Sequence, residues 1–93
     1  MPVADRIEEK LRDAFSPVRL RVVDESHLHI GHAGARPEGE THFRVEITAA
    51  AFEGLSRVAR QRRVYEVLAE ELRGPIHALA LTTRAPTEEE QAG

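Results

Sequence analysis

The chain has no cysteine and no tryptophan, and its aromatic residues amount to only 4%. Without cysteine there is no disulfide framework, and the chain has no thiolate of its own to offer a zinc ion or an iron–sulfur cluster. So few aromatics leave no stacking platform of the kind that reads single-stranded nucleic acid. No apolar run approaches the ~20 residues that cross a bilayer, and no leader-like segment precedes the first periodic stretch. A cytoplasmic protein with no membrane association is therefore expected. The formal net charge of −3 gives no overall field that draws the molecule to a polyanion. Any contact with nucleic acid would need a local basic patch.

Hydrophobic residues make up 41% and charged residues 31% of the 93 positions, the balance of one small globular domain. In "PVADRIEEKLRDAF", Val3, Ile7, Leu11 and Ala14 or Phe15 share one helical face, and Glu8 precedes Arg12 in the favourable i,i+4 order. Ser16-Pro17 ends that helix. "VRLRVVDE" alternates Val18, Leu20 and Val22 against Arg19 and Arg21, and "THFRVEIT" alternates Phe43, Val45 and Ile47 against His42, Arg44 and Glu46. Both read as half-buried strands. "AAAFEGLS" fits about one helical turn. Ser56 then caps a long helix running to about Leu72, with Val58, Val64, Tyr65, Leu68 and Leu72 as its apolar stripe. Gly74-Pro75 stops it, and "IHALALTT" is a third strand. The domain is expected to span residues 1–86, and the acidic, apolar-poor end, 87–93, to be a flexible tail.

Four of the five histidines fall in "ESHLHIGHAGARPEGETHF". His27, His29 and His32 lie in a long glycine-containing connection, and neutral imidazole binds zinc, iron or copper well. Spacing alone favours the ordinary reading, solvated loop histidines. Autonomous zinc binding by these three is the sharper alternative. His42 shares its strand face with Arg44 and Glu46, so a cross-strand or loop-anchoring hydrogen bond is expected of it. His77 has the parity of Leu79 and Leu81 and is expected half-buried at the start of the last strand. It can act as a ligand only if a loop histidine comes to meet it. No nucleophile, base and carboxylate assemble into a catalytic set, so an enzyme is not expected.

Arg57, Arg60, Arg62 and Arg63 crowd the first turns of the long helix, against the macrodipole. They could bind an anion or nucleic acid at the helix start, pair with acids elsewhere in the fold or on a partner, or form a solvated face.

"VVDESHLH", "GETHFRVEI", "FEGLSRVARQRRVYEVLAEEL" and "GPIHALAL", in this order, resemble the BolA family over roughly residues 3 to 86. The resemblance implies a class II KH-like α+β fold, α-β-β-α-α-β, with helices covering one face of a three-stranded mixed sheet. It also implies a monothiol glutaredoxin as partner and a bridging [2Fe–2S] cluster shared with that partner and glutathione. On this chain the family's ligand positions match His77 and, in the loop, His29, with His32 as the alternative. Imidazole ligation of a [2Fe–2S] centre is known chemistry, and a cysteine-free chain can complete a cluster whose thiolates come from elsewhere. The family's usual R-H-R in the long helix is R-Q-R here, with Gln61 in the middle. The competing implication is a transcriptional regulator that contacts DNA through the arginine-rich helix. A weak homodimer is left open.

Overall fold

The computed structural model describes residues 2–26 and 41–88. Helix α1 (Val3–Phe15) buries the stripe that its spacing marks out. Ile7 and Leu11 are fully buried, and Val3, Ala4 and Phe15 pack beside them. On its outer side Arg12 and Glu8 are 3.0 Å apart. The helix stops at Ser16, which turns left-handed (φ 45°) and donates its backbone N–H to the Arg12 carbonyl at 3.0 Å. Pro17 then excludes another helical turn.

Strands β1 (Arg19–Asp24) and β2 (His42–Thr48) pair antiparallel. β3 (Ala78–Arg84) pairs parallel to β2, giving the order β1-β2-β3 and the expected mixed sheet. The parallel pair is joined through the helices, because parallel neighbours require a crossover. Strand alternation sorts the faces. Phe43, Val45 and Ile47 are buried, and Leu20, Val22, Leu79 and Leu81 pack against the same core. On the opposite face Arg19, Arg21, Arg44, Ala78, Ala80 and Arg84 are exposed. Val18 departs from the alternation. It lies outside β1, at the corner where the chain leaves α1, and is 70% exposed.

The short connection is a 3-10 turn, Ala50–Phe52, whose Phe52 is buried against Phe15 with ring centroids 5.1 Å apart. Ser56 caps α2 (Arg57–Val67), its Oγ accepting the Ala59 N–H at 3.2 Å. The expected long helix bends at Leu68 (φ −98°, ψ 15°) and continues as α3 (Ala69–Arg73). Leu68 is fully buried and its N–H still reaches the Val64 carbonyl at 3.0 Å, so the bend keeps the hydrogen-bond ladder. The apolar stripe also differs from the expected one. Val64 and Leu68 are in the core, but Val58 and Tyr65 are 56% and 40% exposed. Two charged side chains, Arg60 and Glu71, occupy inward positions instead.

Each of these charges has partners. Glu71 lies 2.9 Å from Arg6 Nη2 and 2.8 Å from Lys10 Nζ, both on α1. Burial opposes its ionised form, but hydrogen bonds from Lys10, its own backbone and Arg6 outweigh burial and hold its carboxyl below the usual range. Arg60 donates from Nε to the Leu55 carbonyl at 2.9 Å and grips both oxygens of Glu88, at 2.6 and 2.9 Å. That grip anchors the segment after β3. Ala85 is buried, its N–H donates to Glu88 at 2.9 Å, and Thr87 donates to Glu53 at 3.1 Å. Residues 87 and 88, assigned to a flexible tail by composition, are thus held by specific bonds; 89–93 lie outside the described residues.

The hydrogen bonds from Arg60 and from the Ala85 N–H lower the Glu88 carboxyl from 4.5 to about 2. A depressed folded value means that the latch contributes fully above about 4.5 and is lost as pH falls through about 2. Glu88→Gln is expected to release the segment at neutral pH, read as faster hydrogen exchange at the Ala85 amide. An unchanged exchange rate would show that the latch does not depend on this pair.

Candidate functional site

The two ends of the connection between β1 and β2 are tied together by one hydroxyl. Ser26, buried, donates from Oγ to Asp24 Oδ1 at 2.5 Å and accepts the backbone N–H groups of Thr41 and His42 at 2.9 and 3.0 Å. A serine hydroxyl has one proton and two acceptor positions, so these three bonds fill it. The Thr41 hydroxyl is 3.2 Å from Ser26 Oγ but 2.8 Å from His42 Nδ1. Which of Thr41 and His42 donates in this contact depends on the tautomer of the imidazole.

Ser26→Ala would leave two buried amides without their acceptor, at about 1–3 kcal/mol each. A loss of at least about 2 kcal/mol in urea unfolding is expected. A change within experimental error would mean that water or another side chain replaces the serine.

The same knot positions His77. The Thr41 carbonyl accepts the His77 N–H at 2.7 Å and the Ala78 N–H at 3.2 Å, fixing the entry into β3. His42 pairs with Ala78 in the parallel register. The rings of His42 and His77 therefore meet, centroids 5.2 Å apart and planes inclined at 48°. His42 is buried, whereas His77 is exposed rather than half-buried as its parity suggested, because it precedes the strand instead of lying within it. Ala78 and Ala80 floor a shallow concavity of about 270 Å³ on the uncovered face, beside His42 and the Glu25–Arg44 pair at 2.9 Å.

Among the described residues, the histidine that meets His77 is His42. His27, His29 and His32 lie outside the described residues. Of the neighbouring pair, His77 is the exposed ring and His42 the buried one. Among the described residues no group of three or more histidine, cysteine, aspartate or glutamate side chains could hold a metal ion. Among the described residues, His77 is one exposed imidazole, which could join a metal group only if the other ligands came from elsewhere.

The helical arginines do not form a single surface. Arg57, Arg62 and Arg63 are exposed, but Arg60 is buried and committed to Leu55 and Glu88. Its place on the binding surface is withdrawn for that reason. A second arginine group, which the sequence reading missed, lies on the open sheet face: Arg19, Arg21 and Arg84 line a groove of about 210 Å³. Strand alternation carried the signal, because it puts all three on the polar face, but the convergence depends on the register of β1 and β3 across β2.

The result is a small α+β domain in which Ser26 ties the two ends of a loop and a histidine pair stands at one end of the sheet. Among the described residues no helix is long and apolar enough to cross a membrane. The chain belongs to the BolA-like protein family, whose model matches residues 11–88. It is 48% identical over 89 residues to an uncharacterized protein encoded in the cobS 5' region of a Sinorhizobium species, covering 95% of this chain and 96% of that one. It is 49% identical over 83 residues to the DNA-binding transcriptional regulator BolA of Escherichia coli, covering 89% of this chain and 75% of the relative. The solved structure of BolA1 from Arabidopsis thaliana superposes with a TM-score of 0.83 at 39% identity, over 95% of this chain and 96% of that one. Some relatives are much longer: the chain spans 24% of SufE-like protein 1 of Arabidopsis thaliana. Proteins of this family are generally regulators or adaptors, not enzymes.

Proposed function

We propose that the chain is a non-catalytic, cytoplasmic adaptor in iron–sulfur traffic or regulation. It binds a monothiol glutaredoxin and completes a bridging [2Fe–2S] cluster whose thiolates come from the glutaredoxin and glutathione. His77 is one ligand. His29, with His32 as the alternative, is the other. The observation that carries this reading is exposed His77, whose backbone N–H is held by the Thr41 carbonyl and whose ring lies 5.2 Å from that of His42. The cluster would supply redox-active iron and sulfide. Replacing thiolates by neutral imidazoles makes such a centre less negative and raises its potential. This chain would contribute the His77 ring, whose backbone is anchored to Thr41 at the entry to β3. The test is anaerobic addition of the chain to cluster-loaded glutaredoxin with glutathione. A heterodimer on size exclusion that carries a changed visible circular dichroism spectrum supports the reading. No complex and an unchanged spectrum sink it.

A second reading is favoured by the Escherichia coli relative's name and by the exposed Arg57, Arg62 and Arg63: contact with DNA through α2. It requires affinity that falls steeply with salt and is lost when these three become alanine. A flat salt response removes it.

A further inference from the structure

The sheet ends at β3, and among the described residues that strand is paired on one side only. The Ala78 N–H donates to the Thr41 carbonyl at 3.2 Å, and the Arg84 carbonyl accepts the Ala49 N–H at 3.0 Å. Both residues therefore turn their backbone groups toward β2. The direction alternates along a strand, so Ala80 and Thr82 do the same, and Leu79, Leu81 and Thr83 turn theirs to the outer edge. That edge is bounded at both ends. The His77 N–H is taken by Thr41 at 2.7 Å, and Arg60 Nη1 approaches the Thr83 carbonyl at 3.5 Å. Between them Leu79 and Leu81 each hold an N–H and a C=O away from the sheet, with no partner among the described residues.

Exposed sheet edges are ordinarily protected by charge, proline or a bulge. β1, the other edge, carries Arg19, Arg21 and Asp24. β3 has no charge before Arg84, no proline, and an unbroken register against β2. We propose that this edge pairs with the same edge of a second copy of the chain, antiparallel about a two-fold axis at Ala80. Leu79 then faces Leu81 of the second copy, and Leu81 faces its Leu79. Each such pair exchanges both N–H···O bonds, so every open group of the stretch is satisfied. Centring the axis on Leu81 instead would require the Thr83 carbonyl, which Arg60 already approaches. Ala80 meets its own copy in the close, non-hydrogen-bonded position, with Cα atoms about 4.5 Å apart, where a methyl group fits. The charges agree with this register. Arg84 is the one charge of β3, and the axis sets the two copies of it at opposite ends of the paired strands, about 25 Å apart. A longer foreign strand would carry backbone groups past both bounded ends without partners, whereas the second copy matches the open stretch with its own. The interface is small, so the dimer is weak and concentration-dependent. The inference rests on the strand edge and not on the iron–sulfur reading.

The experiment combines sedimentation equilibrium of the full chain, in a series reaching about 1 mM, with amide hydrogen exchange along the same series. Mass is expected to rise toward that of a dimer. Exchange at the Leu79 and Leu81 amides should slow about tenfold where nine-tenths of the chain is dimeric, while the Ala80 amide, already bonded to β2, changes little. Ala80 is exposed, and Ala80→Lys or Ala80→Glu places like charges opposite each other on the axis. Each variant alone should associate at least about tenfold more weakly, and an equimolar mixture of the two should restore the dimer. An unchanged unfolding midpoint confirms that each variant is folded, and the exchange result on the native chain stands without them. The proposal is overturned by a chain that stays monomeric throughout, by a dimer whose Leu79 and Leu81 amides exchange as in the monomer, or by a mixture that associates no better than either variant. Protection of these amides by an uncharged extended peptide of alternating valine and threonine, with the chain itself monomeric, would overturn it in favour of a foreign strand.

Discussion

Replacing His77 by alanine is expected to abolish the spectrum of the proposed mixed cluster while leaving the fold intact. The side chain is exposed, so its removal should change unfolding free energy by no more than about 0.5 kcal/mol. Its backbone N–H, which carries the bond to Thr41, remains in the variant. His42→Ala tests a different role. His42 is buried with its ring against that of His77, and if that contact orients the proposed ligand its loss should cost about 10–100-fold in metal affinity. It should weaken cluster-dependent association without erasing the spectral signature, and it should also lower stability. The two substitutions are compared by visible circular dichroism during titration into cluster-loaded glutaredoxin. If His42→Ala erased the signature and His77→Ala preserved it, the assignment within the pair would be reversed.

The second large effect concerns the buried carboxylate. Changing Arg6 and Lys10 together to methionine leaves Glu71 buried without its charged partners, and a clear loss of stability is expected in denaturant unfolding at neutral pH. Glu71→Met should cost far less, within about 1 kcal/mol, because Arg6 and Lys10 are each about one-third exposed and can turn to water. In the native chain the carboxyl is held low, so its contribution is complete above the ordinary carboxylate range and fades as pH falls through the depressed value. In the double variant the sign reverses. Burial without partners raises the carboxyl, and the deficit against the native chain should shrink on acidification. Equal costs for the double variant and Glu71→Met would show that the pairing contributes little.

Element order and strand faces were legible because alternation in β1 and β2 and the spacing in α1 are clean. The caps were legible for a chemical reason: Ser56 and Ser16-Pro17 have few other roles in those places. The stripe of α2 and α3 was not. Its inward positions include Arg60 and Glu71, and a count of apolar residues instead promoted Val58 and Tyr65, which face water. Their burial depends on Glu88 and on Arg6 and Lys10, partners too distant in sequence for local periodicity to reveal. The site was half legible. His77 stood out by its place before the last strand. His42 beside it follows from the parallel pairing of His42 with Ala78, a tertiary fact. Ser26 proves to be the knot of the loop ends, which only its three bonds disclose.

The most direct test of the central claim is pulsed electron paramagnetic resonance of the reduced mixed cluster, prepared with this chain labelled with 15N at histidine and with unlabelled glutaredoxin. Imidazole ligation predicts strong 15N couplings that disappear when His77 is alanine. A reduced cluster that forms in the complex yet shows no histidine nitrogen coupling would contradict ligation by this chain.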